Sequence, residues 1–142
     1  VERPQAGQIG HTCIRVNDID ASVRFYNGLL GMPIVERRDP APPGTRVAAL
    51  GSPANYLEIF ELKPGQEAEE RGGGANLRLN HFCLWVEGIE NLEKRAAEAG
   101  SPFLRPIGSS PNWIGAAIKV GWLLDPDGNR VELLEWTGPG QA

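Results

Sequence analysis

His11 and His81 each open the same phrase. Ile9-Gly10-His11-Thr12-Cys13-Ile14-Arg15-Val16 leads into Asp18-Ile19, and Leu79-Asn80-His81-Phe82-Cys83-Leu84-Trp85-Val86 leads into Gly88-Ile89. Histidine, cysteine two places on, valine five on and isoleucine eight on all recur at an offset of 70. The chain has 2 histidines and 2 cysteines in all, so the coincidence uses up both scarce residue types. Self-similarity of this kind marks a duplicated structural unit. It restricts the fold to two copies of one module and points to a pseudo-symmetric, metal-binding site at the histidines.

Each copy reads as βαβββ. In the first, residues 8–16 alternate, with Thr12, Ile14 and Val16 on one face and His11, Cys13 and Arg15 on the other. Asp18 or Asp20 is placed to cap a helix carrying Ile19, Val23, Tyr26 and Leu30, which Gly31 ends. Strands are expected over 33–39, 45–50 and 55–62, separated by Pro42-Pro43-Gly44 and Gly51-Ser52-Pro53. The second copy repeats the order, with a strand over 79–86, a helix over 89–99 and strands near 102–107, 115–124 and 129–136. Asp125-Pro126-Asp127-Gly128 is a strong turn signal between the last two. Ser109 to Trp113 reads equally as a lid-like loop or an exposed connection.

With 142 residues the chain is expected to be one α+β domain, long enough to bury a real core. Module one spans about 8–62, an exposed acidic and glycine-rich connector 63–77, and module two about 78–136. A net charge of −4 argues against a nucleic-acid partner or an anionic membrane surface. No apolar run approaches the roughly 20 residues of a membrane span. Two cysteines make no disulfide framework, and the expected compartment is the cytoplasm.

The last strand of each module places a carboxylate among bulky apolar residues: Tyr56-Leu57-Glu58-Ile59-Phe60 and Val131-Glu132-Leu133-Leu134. Carboxylates are rarely buried without a partner. His11, Glu58, His81 and Glu132 therefore form a candidate first shell of two nitrogens and two oxygens. That set suits a divalent Zn, Ni, Co or Mn ion, with positions left for water or substrate. Glu61 and Glu135, three places on, are expected on the opposite, solvated face. Cys13 and Cys83 are expected to be small core thiols rather than ligands.

These residues carry a resemblance. His11-Thr12-x-x-Arg15-Val16-x-Asp18, followed by Phe25-Tyr26-x-x-Leu29-Leu30-Gly31-Met32, resembles the opening of glyoxalase I. Asp125-Pro126-Asp127-Gly128-Asn129-x-Val131-Glu132-Leu133 resembles the closing strand of the wider vicinal oxygen chelate superfamily. The resemblance runs from Ile9 to Glu135 and implies paired βαβββ modules forming a curved mixed-sheet cup around a metal. It places His11, Glu58, His81 and Glu132 at the four ligand positions. It also implies a lyase or isomerase acting on a small carbonyl substrate through a metal-stabilised enolate. Glu132 would act as base, with Glu58 as its partner for the return proton.

Arg15, Tyr56, Phe60 and Trp85 are candidate substrate-binding residues, and Arg15 favours an anionic small molecule. Leu62 and Leu77 stand where the glutathione-recognition set would have asparagine and arginine. That departure counts against glutathione itself. The alternative is a cup that holds a drug or metabolite without chemistry, as in the bleomycin-resistance branch. A homodimer is expected, since open sheets leave edges to cover.

Overall fold

The protein is described by a computed structural model covering residue 6 and residues 9–39, 46–62 and 81–141. The Pro42-Pro43-Gly44 turn, the 63–77 connector and the start of the strand expected at 79 lie outside the described residues. The chain divides into two compact units, Val1–Glu70 and Arg71–Ala142. The repeat seen in the sequence is a repeat of fold: each unit is a βαβββ module with a four-stranded mixed sheet.

In the first unit β1 (His11–Val16), α1 (Ile19–Val23), β2 (Ile34–Arg38), β3 (Val47–Ser52) and β4 (Asn55–Glu61) build a sheet of order β1-β4-β3-β2. β1 runs parallel to β4 and the other pairs are antiparallel. Alternation in β1 sends Ile14 and Val16 into the core and leaves His11, Cys13 and Arg15 outward. Leu57 and Ile59 of β4 and Ala48 and Leu50 of β3 join that core, with Ile19 and Tyr26 fully buried against them.

Asp18 caps α1 as expected, accepting from the backbone N–H of Asp20 at 2.9 Å and of Ala21 at 3.2 Å. The helix then widens into a π-helical turn over Arg24–Leu29, and the Leu30 N–H reaches back to the Phe25 carbonyl at 3.0 Å. The wider turn shifts the helical phase. Phe25 and Ser22 are buried alongside Ile19 and Tyr26, whereas Val23 and Leu30, expected on the core face, are only half-buried. Gly31 ends the segment with φ 75°, the left-handed C-cap its position called for.

In the second unit β5 (Phe82–Trp85), α2 (Ile89–Glu98), β6 (Gly108–Trp113), β7 (Ala116–Leu124) and β8 (Arg130–Pro139) repeat the topology as β5-β8-β7-β6. Ile89, Leu92 and Ala96 of α2 pack on the sheet face carrying Leu123, Val131 and Leu133. The expected strand at 102–107 is a correction. Those residues form no strand, and the edge strand is the polar segment 108–113, so Ser109 to Trp113 is neither lid nor loop.

The physical reason is that Phe103 and Leu104 serve other roles. An added Cβ at Gly121 would sit 2.5 Å from Phe103 Cε2, so the ring fills the space glycine leaves between sheet and helix. The Leu104 N–H donates to the Trp122 carbonyl at 2.7 Å. The Asp125–Gly128 turn forms as expected. Buried Asp125 accepts from the Asp127 and Asn129 N–H groups at 2.9 and 2.7 Å, and Gly128 has φ 80°. Among the described residues, no helix is long and apolar enough to cross a membrane.

Candidate metal centre

Strand register determines which side chains meet. In the first unit His11 is opposite Tyr56, Cys13 opposite Glu58 and Arg15 opposite Phe60. Partners in register share a face, so the five site residues proposed from this module share the face turned away from α1. His11 Nε2 lies 4.0 Å from Glu58 Oε1, and the His11 ring stacks on Tyr56 with centroids 5.0 Å apart and planes at 14°. Arg15 is exposed at the far end of this face, and Phe60 is half-buried.

In the second unit Cys83 is opposite Glu132 and Trp85 opposite Leu134. His81 immediately precedes β5, and its Nε2 lies 3.4 Å from Glu132 Oε2. Trp122, opposite Glu132 on β7, meets the His81 ring edge-on at 4.8 Å. A cation also lies over Trp122: Arg105 Cζ is 5.2 Å from the ring centroid. Arg105 and Trp122 are site-face residues that the sequence reading missed. Arg105 precedes β6 in an irregular segment, so no strand alternation marks which way it points.

The donor set fits a divalent ion as far as each unit carries it. Imidazole nitrogen and carboxylate oxygen bind such ions at roughly 2.0–2.2 Å, which puts two ligands of one ion about 3–4 Å apart. Both histidine–glutamate pairs have that spacing. Each unit supplies two donors, and among the described residues no group of three or more His, Cys, Asp or Glu comes together. Cys13 and Cys83 are exposed rather than the core thiols expected, and neither extends its pair into a larger cluster. Burial, and then the Glu58 charge, raise the Cys13 thiol. Burial and Glu132 push Cys83 up to about 12. Both stay protonated near neutral pH, which makes them poor ligands beside a carboxylate.

Glu61 and Glu135 overturn the expectation of a solvated face. Glu61 Oε2 accepts the Ile19 N–H at 2.9 Å, so the last strand of the module caps the start of its helix. Arg46 clasps the same carboxylate with two bonds, Nε at 2.9 Å and Nη2 at 2.6 Å, and reaches Asp20, which Arg37 holds at 2.6 Å. Hydrogen bonds from Arg46 hold the Glu61 carboxyl below the usual carboxylate range. Glu135 has the same role, accepting the Gly88 and Ile89 N–H groups at 2.7 and 3.3 Å. In each module the strand that presents the candidate ligand therefore anchors the helix three residues later.

Comparison with known proteins agrees with this architecture. The family model described as "Glyoxalase/Bleomycin resistance protein/Dioxygenase superfamily" matches residues 8–133. A probable lactoylglutathione lyase of Synechocystis is 30% identical over 129 residues, covering 88% of this chain and 92% of that protein. The lactoylglutathione lyase of Salmonella typhimurium is 26% identical over 135 residues, covering 93% and 95%. Among solved structures, the trypanothione-dependent glyoxalase I of Leishmania major superposes with a TM-score of 0.69 at 24% identity, covering 92% of this chain and 87% of that one.

Proposed function

The chain belongs to the glyoxalase/bleomycin resistance protein/dioxygenase superfamily, and we propose on that footing that it is a divalent-metal-dependent, glyoxalase I-like lyase or isomerase. Its substrate is a small α-hydroxycarbonyl or thiohemiacetal. His11, Glu58, His81 and Glu132 hold the ion, which is Zn, Ni, Co or Mn. The observation that carries this reading is the pairing within each unit of one imidazole nitrogen with one carboxylate oxygen, at 4.0 and 3.4 Å. The relatives named lactoylglutathione lyase support the same chemistry.

A divalent ion held there supplies Lewis-acid stabilisation of the negative charge that develops on the carbonyl oxygen. Glu132 takes the α-proton from one carbon as the C–H bond breaks, and the electron pair passes into the enolate. Glu58 takes the proton of the hydroxyl on that carbon and delivers it to the neighbouring carbon, while the proton held by Glu132 passes to the former carbonyl oxygen, so both carboxylates are restored and the step is a proton relocation with no net oxidation. Tyr56 fixes the plane of His11 by stacking, and Trp122 fixes that of His81 from the edge. Arg15, on the same face as His11 and Glu58, favours an anionic substrate group. Leu62 and Leu77 replace polar residues expected for glutathione, which counts against glutathione itself as part of the substrate. The protein works as a homodimer in the cytoplasm.

Elemental analysis of protein purified without an affinity metal tests the reading. About one divalent ion per chain is expected, lost in His81→Ala while circular dichroism stays unchanged. Failure to retain or take up any divalent ion would overturn the metal-dependent mechanism.

A further inference from the structure

The chain has 4 tryptophans, and strand register puts all four on one face of one sheet. Trp122 is opposite Glu132, and Trp136 is opposite Ile118. Trp85 is opposite Leu134, and Trp113 is opposite Ala116. Ala116, Ile118 and Leu134 form one buried cluster, which fixes them, and the tryptophans registered to them, on a common side. It is the side that carries Glu132, opposite the face packed on α2. The equivalent face of the first unit carries Tyr56, Phe60 and Arg15 and no tryptophan.

Trp85, Trp136 and Trp113 are 62%, 58% and 56% exposed. Tryptophan is highly buried on average, and a contiguous apolar patch left open on a soluble protein marks a binding surface. This patch is continuous with the His81–Glu132 pair. From Glu132 to Trp136 is four residues of β8, about 13 Å along the strand. Leu134 between them on β8, Val120 and Trp85 registered to it on β7 and β5, and Ile118 registered to Trp136 are all uncharged.

We propose that this face is the specificity surface of the site and takes a flat, uncharged aromatic group of the substrate, with the chelating oxygens at the Glu132 end. Indole rings recognise such a group by offset or edge-on stacking as well as by area. An aliphatic chain would use the area alone. Arg105, at the Glu132 end, already lies over Trp122, and the side chains registered beyond it toward Trp136 are uncharged, so an ionic extension reaching Trp85 and Trp136 would be desolvated without compensation. Trp122 is already engaged by His81 and Arg105, so Trp85 and Trp136 are the rings that contact the ligand. The substrate class rests on the metal-dependent reading above; the aromatic surface itself does not.

Calorimetry separates the two. Metal-loaded protein is titrated with acetohydroxamate and 2-naphthohydroxamate, which share a vicinal-oxygen chelating pair and differ in the flat group. Metal-free protein is titrated with 2-naphthamide, which lacks that pair. The naphthyl hydroxamate should bind at least about 10-fold more tightly than the methyl one. That advantage should fall about 2- to 10-fold in Trp85→Ala and in Trp136→Ala and be retained in Trp85→Phe. Saturable 2-naphthamide binding to metal-free protein supports the aromatic surface even if no metal is ever taken up, an outcome that would sink only the metal reading. Equal affinity for both hydroxamates on metal-loaded protein overturns the proposal and leaves the metal reading standing. So does a Trp85→Ala variant that shifts self-association in sedimentation without changing naphthyl affinity, because the face would then be covered by a second copy.

Discussion

The two modules present the same ligand pair in different settings. In the first, His11 lies flat on Tyr56, and the carboxylate that anchors the helix is locked by Arg46 into a chain of ion pairs running through Asp20 to Arg37. In the second, His81 meets Trp122 edge-on, and the matching carboxylate, Glu135, caps a helix whose N-cap is Gly88. Duplication kept the donors and their strand register. It left the surroundings free to diverge into a charged, tightly tethered module and an aromatic one.

The comparison is tested most severely at the ligand carboxylates. Glu132→Gln is expected to lower turnover by about 10²- to 10⁴-fold, the range for loss of a general base, with the circular dichroism spectrum unchanged. Glu58→Gln should cost less, because it leaves the abstracting base in place. Equal losses in steady-state assays would erase the assigned division of labour.

The core of the second module offers a smaller effect. Gly121→Ala forces a Cβ against Phe103 and Ile89 and should destabilise by about 1–3 kcal/mol, the range for overpacking. Thermal melts would read this as a lowered Tm, and an unchanged Tm would mean that Phe103 is free to move aside.

The helix anchors come next. Glu61→Gln should cost about 1–2 kcal/mol after allowance for solvent screening, and Glu135→Gln about 1 kcal/mol as the loss of a cap. The pH dependence distinguishes them further. Glu61 has a folded-state pKa below its ordinary 4.5. Its stabilisation is therefore complete above about pH 4.5 and is lost as the pH falls through the lower folded value. Urea unfolding between pH 6 and 3 should show a shallower acid loss in Glu61→Gln than in wild type. Smallest of all, Tyr56→Leu is expected to weaken metal affinity by about 2- to 10-fold through the lost stacking on His11, measured by competition with a chelator.

Much of this was legible in the sequence because it is local or periodic. The alternation of β1 named the outward face of His11, Cys13 and Arg15. Asp18 announced its cap, Gly31 and Gly128 their positive φ, and the repeat, offset by 70 at the histidines and by 74 (58 to 132) at the glutamates, nominated Glu58 and Glu132 beside the histidines. What escaped notice was non-local or of mixed phase. Glu61 meets Ile19 across 42 residues and Glu135 meets Gly88 across 47, and no window on the chain contains both ends. The π turn at Arg24–Leu29 broke the 3.6-residue phase that nominated Leu30. β6 was misplaced because apolar Phe103 and Leu104 looked more strand-like than Gly108-Ser109-Ser110-Pro111, whose proline is tolerated on an edge strand.

The long-range caps also govern the order of events as each module folds. The amide of Ile19 finds its acceptor only when β4 has docked, and that of Ile89 only when β8 has. A contact spanning more than forty residues costs chain entropy before it returns any stabilisation. Asp18 can cap α1 locally, but the Ile19 and Ile89 amides cannot be satisfied early, and each should close together with the strand bearing its module's glutamate. The amides of Ile19 and Ile89 thus become clocks for hydrogen exchange: for as long as either resists deuterium, the strand that carries Glu58 or Glu132 is expected to be in place.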